Sequence, residues 1–213
     1  MPRRHSRESD TLIVQRSVSI ISVFSCALAL LVISGSAHAH PHVFVDAKVE
    51  FLFDGTGLAG LREEWVFDGM TSEWMKADYD ADKDGAFKAA ELKKIESEMF
   101  DSLKAERYFH RVVVDGRECP VTGASGFSAA VVKGRVAFRF FVPVRVSGSA
   151  KKRSVKLRLE DPSIYTDFVF SKDTPSLAGE RQRFSTEFKR SGGAQPDGRY
   201  IPETIELRFR KRP

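Results

Sequence analysis

From His42 the chain alternates. Val43, Val45, Ala47, Val49, Phe51 and Phe53 fall on one face, and His42, Phe44, Asp46, Lys48, Glu50 and Leu52 on the other. Period-two patterning predicts a half-buried strand over 42–53. Asp54-Gly55-Thr56-Gly57 reads as a turn, and 58–67 as the returning strand of a hairpin. The period then changes. Thr71 is placed to cap a short helix carrying Trp74, Met75 and Tyr79. Further on, Leu92, Ile95, Met99, Leu103 and Tyr108 recur every three to five residues, which predicts one long helix over 88–106. The segment 69–109 is therefore expected to be a helix–loop–helix insertion between strands. From His110 the strand pattern returns. Asp115-Gly116 is a hairpin turn signal. Short runs at 127–132, 135–144, 154–159, 165–170, 181–188 and 204–209 are separated by Gly, Pro, Ser and Lys. This pattern predicts a mainly β fold, an antiparallel β-sandwich interrupted by the helical insertion.

The first 39 residues follow a different rule. Arg3, Arg4, Arg7 and Arg16 precede an apolar run over 18–33, and small residues end at Ala37-His38-Ala39. This predicts a secretory signal peptide over 1–39, cleaved before His40, with a retained anchor as the alternative. Residues 40–213 are then one β-rich domain, with no membrane insertion after cleavage. Losing four Arg and two acids lowers the formal charge from +5 to +3. The basic residues are interleaved with acids, and no basic face carries stacking aromatics, so nucleic acid is not an expected partner. Cys119 alone survives cleavage and has no partner for an internal disulfide.

Two stretches carry candidate chemistry. The first is Asp80 to Glu91, DADKDGAFKAAE. Asp80, Asp82 and Asp84 occupy positions 1, 3 and 5 of an EF-hand loop, Gly85 position 6, Ala86 position 7 and Glu91 position 12. Calcium takes six to eight oxygens, so a loop must aim several carboxylates at one point. Asp80, Asp82, Asp84, the Ala86 carbonyl and Glu91 are the candidate Ca2+ ligands. Lys88, at position 9, puts a positive charge beside the ion. A lone hand outside the cytoplasm reads as a structural staple, because ambient calcium there saturates weak sites.

The second is His40-Pro41-His42. A free amine on His40 and two imidazoles suit Zn2+, Ni2+ or Cu2+. Pro41 has no amide hydrogen, so an amino-terminal copper motif through the second amide is excluded. Further ligands are then expected from Asp46, on the face of His42, and from His110, at the end of the helical insertion. The alternative is a solvated end that binds metal incidentally.

No nucleophile motif is present. The acid pairs Glu63-Glu64 and Glu160-Asp161 each lie on a strand with their members on opposite faces, so no enzyme is expected. The corner 159–168 reads either as Tyr165 and Phe168 in a core or as part of a binding rim.

HAHPHVFVDAKVEF, DADKDGAFKAAEL, YFHRVVVDG and EDPSIYTDF together resemble the bacterial family called domain of unknown function 1007. The resemblance covers nearly all of 40–213. It implies a periplasmic protein, a component of an uncharacterised ABC-type transport system. It also implies membrane partners among nickel, cobalt or zinc transporters, a metal role for His40 and His42, and a calcium role for the acidic insertion. No two-lobed α/β build is expected, which sets the chain apart from hinge-closing binding proteins.

Overall fold

Two strands begin the described chain. β1 (Val43–Phe53) and β2 (Gly57–Phe67) pair antiparallel, with Ala47 opposite Trp65 and Phe51 opposite Leu61. The Asp54 carboxylate closes their turn, accepting from the Thr56 amide and hydroxyl and the Gly57 amide. The alternation has its expected result: Val45, Ala47, Val49, Phe51 and Phe53 are buried, while Phe44, Asp46 and Lys48 face outward. The structure is a computed structural model and describes residues 42–194 and 200–213. The expected signal peptide, 1–39, and His40 lie outside the described residues.

Nine further strands complete two sheets. They are β3 (His110–Val114), β4 (Arg117–Glu118), β5 (Ser125–Val132), β6 (Arg135–Ser147) and β7 (Arg153–Leu159). Then come β8 (Thr166–Phe170), β9 (Ser176–Gly179), β10 (Phe184–Ala194) and β11 (Tyr200–Lys211). One sheet runs β5-β6-β2-β1-β8, with β9 also on β1; the other runs β10-β11-β7-β3-β4. Aromatic contacts join their inner faces: Phe53 meets Phe184 and Phe209 at ring distances of 5.0 and 5.1 Å, and Phe51 meets Phe188 at 5.4 Å.

The all-antiparallel expectation needs one correction. β8 and β9 run parallel to β1, with Val45 opposite Phe168 and Phe51 opposite Leu177. The reason lies in connectivity. β7 belongs to the other sheet, so the chain must cross before it returns to β1, and a crossover admits parallel pairing where a hairpin does not.

The insertion is helical but not one helix after the loop. α1 (Gly69–Tyr79) buries Met75 and Tyr79, while Trp74 is half exposed. α2 (Ala89–Ile95) gives way to a π turn over Glu96–Phe100 and a 3-10 turn over Asp101–Lys104. The wider π turn brings Phe100 inward. Its ring packs on Phe127 at 4.4 Å, Phe140 at 5.0 Å and Tyr108 at 5.2 Å. Next, Arg107, Tyr108 and Phe109 all take positive φ, at 54, 52 and 58°. Left-handed backbone costs an L-residue roughly 1–2 kcal/mol, so this turn needs support from what packs on it. Among the described residues no helix is long and apolar enough to cross a membrane.

Asp68, not Thr71, caps α1. Its carboxylate accepts from the Thr71 amide at 2.9 Å, the Thr71 hydroxyl at 2.6 Å and the Phe44 amide at 3.0 Å. Partial burial pushes its pKa up, but these bonds outweigh burial and hold it below the usual 3.8. Asp68→Ala is expected to cost about 1–2 kcal/mol at neutral pH. The folded pKa is the lower one, so this contribution is full above the unfolded value and fades as pH falls through the folded value. Denaturant titrations of both proteins at about pH 7 and about pH 2 should show the gap closing in acid.

Candidate functional site

The acidic loop between α1 and α2 brings three of its five expected ligands together. Oxygens of Asp80, Asp82 and Asp84 lie within 4.8 Å of one another. Backbone amides aim them. Asp80, buried, accepts from the Asp84 and Gly85 amides at 3.1 and 2.9 Å, and Asp84 accepts from the Ala86 amide at 3.0 Å. Gly85, at φ 80°, makes the sharp turn. Glu91 is engaged differently: its two oxygens accept from the Ala81 and Lys88 amides at 2.8 and 2.7 Å. It ties the two ends of the loop together and stands outside the carboxylate cluster.

Lys88 fills the role of a cation here. Its ammonium bridges Asp82 and Asp84, 2.7 Å from the latter. Those two carboxylates push the Lys88 pKa well above its ordinary value, and Lys88 in turn lowers that of Asp82. Three carboxylates in this spacing fit a hard divalent ion. Such an ion would have to displace the Lys88 ammonium.

The histidines do not come together as expected. His42 is exposed at the start of β1, its amide bonded to the Tyr165 carbonyl at 2.9 Å and its ring 5.2 Å from that of Tyr165. Asp46 shares the outer face of β1 but is paired with Arg135 at 2.9 Å. His110 faces the core and is 2% exposed. Its Nδ1 lies 2.5 Å from the Tyr108 carbonyl and its Nε2 3.1 Å from Glu63 Oε1. A carbonyl only accepts, so Nδ1 carries a proton and donates it. His110 is therefore no partner of His42 and Asp46 in a metal site; both its ring nitrogens are spent in the core.

What His110 does instead was missed from sequence. Glu63, 1% exposed, receives the Trp65 indole N–H at 3.2 Å on its other oxygen. A buried chain results: the Tyr108 carbonyl, His110, Glu63, Trp65. It pins the left-handed turn to β2. The signal was in the pattern. His110 is in phase with Val112 on β3, and Glu63 is in phase with Leu61, Trp65 and Phe67 on β2.

Above Trp65 lies a groove of about 940 Å³. α1 forms one wall with Met70, Thr71 and Trp74, and the broken helix adds Met99, Leu103 and Glu106. Trp65 and Phe168 are buried on the lining, and Phe109, His42, Asp161, Ser163 and Tyr165 also line it. Trp65 packs edge-on against Phe168 at 4.9 Å, and Phe109 meets Phe168 at 5.4 Å. Of the corner residues, Phe168 is buried, but Tyr165 is 54% exposed. The Asp161 carboxylate orders that corner, accepting from the Ser163 amide and hydroxyl and the Thr166 amide.

Comparison with known proteins adds a family and one curated relative. The model of a family described as "Protein of unknown function (DUF1007)" matches residues 25–199. An "Uncharacterized 15.5 kDa protein in trpE 3'region" from Spirochaeta aurantia is 34% identical over 101 residues, 47% of this chain and 71% of that protein.

Proposed function

The chain belongs to the DUF1007 family of proteins of unknown function, and from that premise we propose a non-enzymatic binding module of the bacterial cell envelope. In this reading it is a periplasmic β-sandwich, exported by a cleaved signal over 1–39. An EF-hand-like calcium loop staples its helical insertion in place. The observation that carries this is the convergence of Asp80, Asp82 and Asp84, aimed by backbone amides. A bound ion would fix the end of α1 against the start of α2, and α1 walls the groove.

Calorimetric melting with calcium and with a chelator tests the staple. A ligand of the native state must raise the midpoint. At tenfold excess over its dissociation constant calcium adds about 1.4 kcal/mol by linkage, or roughly 3–6 °C for a chain of this size. Asp80→Ala should remove the calcium-dependent shift. Lys88→Gln should move it to roughly thirtyfold lower calcium, the effect of one unit charge on a divalent ion about 4 Å away in water. A midpoint that ignores millimolar calcium would end the proposal.

A transition-metal role is kept for His40 and His42 on one observation. The His42 imidazole is exposed and has only a ring contact with Tyr165 among the described residues. Partners in a membrane metal transporter follow from the family resemblance. Zinc, nickel and copper titrations of the processed protein should weaken in a His40→Ala, His42→Ala variant; equal affinities would remove this role.

A further inference from the structure

We propose that the groove above Trp65 binds a hydrophobic amine, an apolar body carrying a cationic head, a role that goes beyond the calcium reading. The volume comes first. About 940 Å³ is at the upper end of the range for small-ligand pockets, roughly 300–1,000 Å³. The lining comes second. Aromatic and aliphatic side chains dominate it, and Met70 and Trp74 remain 73% and 50% exposed at its edge. Such a concave apolar surface, with a few polar groups on one side, suits a ligand with an apolar body.

Charge then selects the head. Lys and Arg make up 34 of the 213 residues, yet among the described residues none lines the groove. Two carboxylates do, Glu106 and Asp161. Asp161 is held ionised by its hydrogen bonds, which outweigh the upward push of burial. Glu106 is exposed, and among the described residues its carboxylate has no hydrogen-bond or ion-pair partner. An anionic head would meet two carboxylates, with the His42 imidazole as the one basic side chain on the lining among the described residues. A cationic head would meet Glu106, and the half-exposed rings of Trp74 and Tyr165 are also on the lining; aromatic rings favour cations.

The protein carries its own reporter. Its two tryptophans, Trp65 and Trp74, both line the groove. The purified protein is titrated, below micelle formation, with dodecyltrimethylammonium, dodecanol and laurate, while indole emission is followed. The expected result is saturable binding in that order of affinity. The cation should lead the alcohol by about two- to fivefold, the size of an exposed charge contact. Glu106→Gln should abolish that lead and leave dodecanol binding unchanged. Because Glu106 is exposed, its melting midpoint should stay where it was. Leu103→Arg should block all three probes. Laurate binding as tightly as the ammonium, or no saturable change with any probe, would overturn the proposal. So would a response seen only with an amphipathic peptide added as a fourth probe, since that would make the groove a protein-docking site. Repeating the titration in chelator separates the two readings: amine binding without any calcium-dependent melting shift sinks only the staple, and the reverse sinks only the amine site.

Discussion

Replacing His110 with alanine is expected to lower the unfolding free energy by about 3–5 kcal/mol. The side chains of His110 and Glu63 are both fully out of solvent. Nδ1 donates to the Tyr108 carbonyl, and Nε2 lies 3.1 Å from Glu63 Oε1. Removing the imidazole leaves Glu63 with the Trp65 N–H as its one hydrogen bond and leaves the Tyr108 carbonyl without its donor. A buried polar group without a partner carries its full desolvation cost. The left-handed turn also loses its tie to β2. The double variant Glu63→Leu, His110→Leu removes the stranded carboxylate, so measured against the single variants Glu63→Leu and His110→Leu the two losses should fail to add by about 1–3 kcal/mol. Urea unfolding with an unchanged slope measures this. A cost below about 1 kcal/mol for His110→Ala would show that the pair contributes no more than an exposed contact.

Phe53→Ala is expected to cost about 3–5 kcal/mol, the range for a truncated core aromatic. Phe53 is 2% exposed, and its ring touches Phe184 and Phe209 from the other sheet. The cavity would open between the sheets, where neither backbone can easily close it. Phe44, on the outer face of the same strand and 48% exposed, is the control: Phe44→Ala should stay within about 0.5 kcal/mol. Equal costs at the two positions would contradict face-to-face packing of the sheets.

Alternation made β1 and β2 legible with their faces, because a half-buried strand writes its burial directly into the sequence. Asp115-Gly116 was equally plain. Both residues take positive φ, at 49 and 83°, and Val114 pairs with Arg117 across them. The acidic loop was legible as spacing, and three of its carboxylates converge. The different use of Glu91 was not, since spacing says nothing about which donors reach a carboxylate first. Strand direction was not legible either: a run such as Thr166–Phe170 reports that it is a strand, not which neighbour it meets. Arg107-Tyr108-Phe109 gave no warning, because left-handed backbone usually announces itself with Gly or Asn. Here the surrounding aromatic packing and the His110 bond fix the conformation. His110 was misassigned for the opposite reason. His110 was sought as a further ligand for the His40-Pro41-His42 site because it ends the helical insertion, and that hid its phase with Val112.

The parallel pairing of β1 bears on when the fold can form. β2 follows β1 at once, but β8 and β9 lie more than a hundred residues further along. Until Thr166–Gly179 has arrived, one long edge of β1 keeps its backbone donors and acceptors unpaired beside an apolar face. Non-local pairing of this kind slows folding and lengthens the life of aggregation-prone intermediates. A fragment ending before Thr166 should therefore be insoluble or chaperone-bound even though it holds the whole β1–β2 hairpin, the acidic loop and most of the groove. For this chain, the open edge of β1 closes only when Thr166–Gly179 arrives.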